Sequence, residues 1–183
     1  MSKLLVKSMA IDPVFNDKQL VKLVSKTPKQ HIHTRPGRGG QTFRYATTSY
    51  VQKVLNEAFG WAWSFQVVDK GLDPSETGVW VHGRLTVINK ETMQPMIIKE
   101  QFGSSDIKKS KDGKFVDYAD DLKSAASDAL KKCSSLLGIC ADLYADPQTA
   151  KEIDERVEKV KAVIMAQHEA EQKLEAKEQN AND

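Results

Sequence analysis

Cations, rather than nucleophiles, are the residues of this chain best placed to do chemistry. Arg35, Arg38 and Arg44 lie in and beside a glycine-rich stretch, Arg35-Pro36-Gly37-Arg38-Gly39-Gly40-Gln41. Lys108, Lys109, Lys111 and Lys114 crowd one short segment, and Lys123, Lys131 and Lys132 follow within DDLKSAASDALKKCSSLLG, residues 120–138. Side chains of this kind neutralise phosphates. Each phosphate contact on a single strand releases about 0.7 of a condensed cation, so a groove built from them binds in a strongly salt-sensitive way. The glycines allow the backbone to approach a phosphate chain while the arginines project toward it. A flexible surface hairpin and a set of solubilising lysines are the competing readings. Binding is favoured because the lysine-rich loop runs directly into a lysine-bearing helix.

Other chemistries are poorly supplied. The glycine-rich stretch lacks the Gly-Lys-Ser/Thr ending that grips phosphates and magnesium, and no strong helix pattern follows it, so no ATP site is expected. Asp117, Asp120 and Asp121 raise the possibility of a metal-dependent nuclease. No fourth acidic ligand or general base stands at a convincing spacing, and an aspartate near a helix start serves as a cap or dipole partner. His31 and His33 lack the cysteine or acidic companions of a zinc site. The expectation is therefore no catalytic residue, no metal ligand and no cofactor, in a protein that is not an enzyme. Tyr45, Trp61, Trp63, Phe65 and Trp80 are candidates to stack on bases. The alternation of the tryptophans argues more simply for packing in the core or between subunits.

The elements that must position these residues are legible in the apolar spacing. Leu122, Ala125, Ala126, Ala129, Leu130, Cys133, Leu136 and Leu137 form one helical stripe, with Lys131 about opposite its middle and Lys123 and Lys132 near its borders. Gly138 is its stop. Asn16 caps a short helix over about 17–25 with Leu20, Val21 and Val24 inward. Two short extended pieces flank the glycine-rich turn. Thr47 or Thr48 opens a second helix, with Val51, Val54, Leu55, Ala58 and Phe59 apolar and Gly60 ending it. Three strands follow: one alternating Trp61, Trp63, Phe65 and Val67, one from Val79 to Ile88, and one from Met96 to Phe102. Asn89-Lys90-Glu91-Thr92 turns the second into the third. The order predicts an α+β fold, an antiparallel β-meander packed against a long helix.

The 183 residues, 28% charged and 40% apolar, suffice for one domain with a core plus an appendage. The net charge of +2 hides a basic front, since residues 1–45 carry +7, residues 46–145 carry −1 and residues 146–183 carry −4. That division suggests an anionic partner and a separate role for the tail. Residues 1–145 read as the binding domain and 146–183 as a charged helical tail. In it Ile153, Val157, Val160 and Ile164 repeat until Gln167 and Glu171 break the pattern, and residues 178–183 are expected to fray. No apolar run approaches the ~20 residues that span a bilayer, and the N-terminus lacks a signal-peptide core. A soluble, cytoplasmic, reduced protein without membrane contact is expected, with Cys133 as a small core residue.

Taken in order, Arg35 through Tyr45, YVQKVLNEAFGWAW at 50–63, Gly103-Ser104-Ser105 and Ser124 to Gly138 resemble the Rad fifty-two family of single-strand annealing proteins, including its phage Sak-type members. The resemblance covers roughly residues 30–142. It implies a protomer that assembles into rings or helical arcs around a basic outer groove, annealing single-stranded DNA in recombination and double-strand break repair. It also implies that Arg35, Lys131 and Lys132 bind the DNA backbone, that Tyr45 lies near the groove and that Lys108–Lys114 approximates a secondary DNA site. Where the family has a further basic residue one turn on, this chain has Ser135. The implied partners are single-stranded DNA, further copies of the chain, and a single-strand binding protein or exonuclease at the acidic tail. If the chain is phage-encoded, they meet in the bacterial host's cytoplasm. A protective single-strand coat without annealing is the alternative function, followed by the nuclease.

Overall fold

The computed structural model describes residues 14–36 and 38–144, with Asp17 and Arg38 by their backbone only. Beyond these it describes residues 146, 148–149, 151–152, 154–155, 158–159, 161–163, 165–166, 169 and 172–173. Gly37, the Arg38 side chain, the repeat positions Ile153, Val157, Val160 and Ile164, and the 178–183 end therefore lie outside the described residues.

Polar side chains set the helix starts. The Asn16 carboxamide accepts the Gln19 N–H at 2.9 Å while Gln19 reaches back to the Asn16 N–H at 3.1 Å, a reciprocal cap that opens α1, Asp17–Val24. Leu23 is the fully buried residue of α1; Leu20, Val21 and Val24, expected to face inward, are half-buried. β1 (Ile32–Pro36) and β2 (Thr42–Ala46) form an antiparallel hairpin across the glycine-rich turn. Gly39 and Gly40 there have φ of 71° and 78°, with open space where a Cβ would stand. They are needed for the backbone's left-handed turn. α2, Thr48–Phe59, starts from the Thr47 hydroxyl and ends at Gly60 in the left-handed region, and its five expected apolar residues are all buried.

β3 (Trp63–Leu72), β4 (Gly78–Ile88) and β5 (Pro95–Asp106) make the antiparallel meander, in the order β3-β4-β5. The Asn89 side chain accepts the Glu91 and Thr92 N–H groups and so forms the turn from β4 to β5. Two expectations for the first strand fail. Trp61 precedes it, at φ 69° and 77% exposed, because the left-handed Gly60 and Trp61 turn the chain before pairing begins. Val67 pairs with Gly83 on the same face as Phe65 but is exposed, because β3 is an edge strand and the helix Tyr118–Ser135 lies across β4 and β5; the register shifts only after it, between Val67 and Asp69.

α3, Tyr118–Ser135, lies across β4 and β5. It buries Ala125, Ala129, Leu130 and Cys133, together with the polar Asp121 and Ser134. Its approach is very close at Gly103, where a Cβ would overlap the backbone of Ala125 and Ala129. Leu136, expected on the buried stripe, is 48% exposed because the helix ends at Ser135 and a turn redirects the chain, while Leu137 and Ile139 fold inward. The main core joins α1, α2, β4 and the end of α3 around Leu55, Phe59, Leu85 and Leu130. Among the described residues no helix is long and apolar enough to cross a membrane.

Candidate nucleic-acid interface

Register fixes the first wall of the site. His33 pairs with Tyr45 and Arg35 with Phe43, and directly opposed residues of an antiparallel pair share a face. Arg35, Phe43 and Tyr45 thus line one side of a surface trough that is also bordered by Thr42 and Arg44. Lys131 and Asp128 enter from α3, and Leu143 and Tyr144 from the 3₁₀ turn Ala141–Leu143 and its end. The Lys131 ammonium stands 5.8 Å from the centre of the Tyr45 ring.

The trough's one carboxylate is already occupied. Asp128 accepts the Ser104 N–H at 3.2 Å and pairs with Lys132 at 3.0 Å. Among the described residues no carboxylate forms an ion pair with Lys131. Its pKa is lowered first by burial, with Arg35 and Lys132 adding repulsion that Asp128 only partly offsets. An ammonium half-stripped of water and facing a guanidinium is prepared for an incoming anion, which would replace the lost hydration. At the opposite lip the Tyr144 phenol is pushed up to about 12, first by burial. A protonated phenol is neutral and able to donate a hydrogen bond to an anion instead of repelling it.

This arrangement has a measurable pH signature. A lysine with a lowered pKa discharges sooner as pH rises, and phosphate binds only its charged form. Affinity for an oligonucleotide is therefore expected to begin falling at a lower pH than an ordinary lysine would set. Lys131→Arg, which keeps its charge there, should flatten that profile in a fluorescence-anisotropy titration.

The structure brings Arg35, Arg44, Tyr45 and Lys131 together. Lys132 stands beside the trough on Asp128, and Lys123 lies off it, paired with Asp120 at 2.7 Å. The lysine loop divides by role. Lys108 bonds Asp120 at 3.1 Å and stands 3.8 Å from Asp121, whose Oδ2 accepts the Lys108 N–H at 3.2 Å. Asp121 is fully buried and its Oδ1 has no hydrogen bond. Lys108 is thus a clamp on the helix start. Lys109 lies 5.6 Å from the Phe115 ring centre, and Lys111 and Lys114 are exposed. Lys108→Ala is expected to lower the melting temperature by about 4 °C, because buried Asp121 loses its nearest cation, whereas Lys111→Ala and Lys114→Ala should leave it unchanged in calorimetry.

Asp117 caps α3, its carboxylate accepting the Asp120 N–H at 2.9 Å. Lys123 and then Lys108 hold the Asp120 carboxyl below the usual range. Among the described residues no three His, Cys, Asp or Glu side chains are grouped to hold a metal ion. His31 stacks on Tyr50 at 4.2 Å and His33 leans on Tyr45 at 5.6 Å.

Sequence reasoning missed Phe43, Asp128, Leu143 and Tyr144. Phe43 carries a signal, its alternation with Tyr45 along one strand. Tyr144 carries none: it reads as the point where the tail begins, and only the 3₁₀ turn packing on β2 brings it to the trough.

Cations converging from a hairpin and a helix beside exposed aromatic rings are what a protein that handles a nucleic-acid backbone presents. A family model described as Rad52/22 family double-strand break repair protein matches residues 17–162, from the first residue of α1 into the tail. The chain belongs to this family, and with it to the proteins of DNA repair and recombination. No individual curated protein matches it.

Proposed function

We propose that this protein binds single-stranded DNA by its sugar–phosphate backbone and anneals complementary strands without ATP. In this reading many copies align their troughs into one track. The observation that carries it is the convergence of Arg35 and half-buried Lys131 on one trough that Arg44 borders. Cations gripping phosphates relieve the repulsion between two strands and leave base edges free to pair. Pairing itself supplies the driving force, at about 1.4 kcal/mol per stacked step, so no nucleotide cofactor is needed. One protomer offers too few contacts for useful affinity, and assembly multiplies them through effective concentration. Ile98 and Phe102, 50% and 57% exposed on the sheet face away from α3, supply apolar surface for such assembly. In this role the protein cuts no bonds, and the acidic tail is left for a single-strand binding protein or an exonuclease.

The test is annealing of two complementary labelled oligonucleotides against a protein-free control. Acceleration supports the proposal, and slowed pairing would mean a protective coat instead. Magnesium- or manganese-dependent cleavage that disappears in Asp120→Ala would make the protein a nuclease. A molecule that stays monomeric at every concentration and ignores oligonucleotides would refute both binding readings.

A further inference from the structure

Lys26 lies just past the end of α1, one residue before Thr27. The Thr27 side chain is buried and donates to Asp142 at 2.7 Å, and the Thr27 N–H reaches the same carboxylate at 3.3 Å. Asp142 is followed directly by Leu143 and Tyr144, two walls of the trough. Lys26 is therefore tied, through its buried neighbour Thr27, to the residue that precedes the Leu143–Tyr144 wall. The pKa of its ammonium is raised first by the hydrogen bond to Asp154, and Arg44, a trough residue, is near enough to oppose that rise. Its partner Asp154, at 2.6 Å, belongs to the tail, whose residues 146–183 carry −4.

We propose that Lys26 is a further cation of the strand track, and that the acidic tail occupies it until nucleic acid displaces Asp154. This rests on the single-strand reading of the trough. The chemistry is an exchange of one anion for another: a tail carboxylate leaves Lys26 and a backbone phosphate takes its place. The Lys26 side chain is 67% exposed, and exposed pairs are weak in water, so a strand already held by Arg44 and Lys131 can make the exchange. The tail begins at the trough wall, so its carboxylates compete at high effective concentration. A free tail is in turn available to a partner only while DNA is bound.

The test uses the full chain and a fluorescent oligo-dT at several salt concentrations. Asp154→Asn with Glu158→Gln removes two neighbouring tail charges. Glu76→Gln with Glu91→Gln removes two from distant exposed turns and controls for net charge. The tail variant is expected to bind about fivefold tighter than the control variant at low salt, with a log–log salt slope steeper than wild type by about 0.7, the share of one freed cation. Adding Lys26→Ala to the tail variant should abolish both gains. Equal affinity and slope in the tail and control variants, with wild type binding normally, would overturn this proposal alone. No binding by any of the proteins would overturn the trough reading and this proposal with it.

Discussion

Replacing Lys131 with methionine is expected to weaken single-strand binding about tenfold per site at low salt and to lessen the salt slope by about 0.7, while raising the melting temperature. The two effects have one cause. In the free protein burial and the neighbouring Arg35 disfavour the charged ammonium, and Met fills the same space without that penalty. In the complex the missing charge is a lost phosphate contact. With copies sharing one strand, as proposed, the loss is expected to repeat at every protomer, so the apparent effect on long DNA should exceed that on a short oligonucleotide. Anisotropy on short and long oligo-dT, beside calorimetry of the free protein, checks both signs. Unchanged affinity would place the track elsewhere, and a lower melting temperature would make Lys131 a structural residue. Arg35→Ala should weaken binding similarly without the stabilisation.

Gly103→Ala is expected to do the opposite, removing the fold before it can alter the site. The added methyl would overlap the backbone of Ala125 and Ala129, so no rotamer change relieves it, and α3 or β5 must move. Overpacking of this kind costs about 3 kcal/mol, a large share of the stability of a domain this size, and lowers the melting temperature by about 10 °C. Moving α3 also moves Lys131 and Asp128, so binding should be lost with it. Gly39→Ala is the comparison: it meets nothing, but its φ of 71° is strained for any side chain, at a cost of about 1 kcal/mol. Thermal melts of the two variants decide the ranking. A Gly103→Ala protein as stable as wild type would show that the helix does not rest on this strand.

The helices were easy to read from the residues because their signals are local. Asn16 and Gln19, Thr47 and Gly60 fix ends through hydrogen bonds or dihedrals reached within three or four residues. The burial of Val51, Val54, Leu55, Ala58 and Phe59 follows from their period alone. Where expectation failed, a non-local term won. Leu136 keeps the helical period yet is exposed, because the helix had already ended. Val67 keeps the strand period and shares a face with Phe65 yet is exposed, because α3 covers β4 and β5 and leaves this part of the edge strand open. Asp121 and Ser134 would not be chosen as core from their polarity. Asp121 is buried because the lysine loop folds back to give it the Lys108 N–H, and Ser134 because its hydroxyl donates to the Leu130 carbonyl within the helix.

The sequence by itself determined the α+β class, the helix ends, the hairpin around the glycine-rich turn and the set of cations available to a phosphate chain, since propensity, capping and charge are carried by neighbouring residues. Tertiary structure decided which cations gather at the trough. Lys131 and Arg35 meet, with Arg44 at the trough's border, because α3 packs at Gly103 beside the β1–β2 hairpin, whereas Lys108 and Lys123 are drawn to Asp120 and Lys132 to Asp128. Tyr144 entered the trough and Lys26 met Asp154 by the same route, contacts between residues far apart in the chain. Charge is a property of a residue, but the water it loses and the partner it meets are set only when the chain closes on itself.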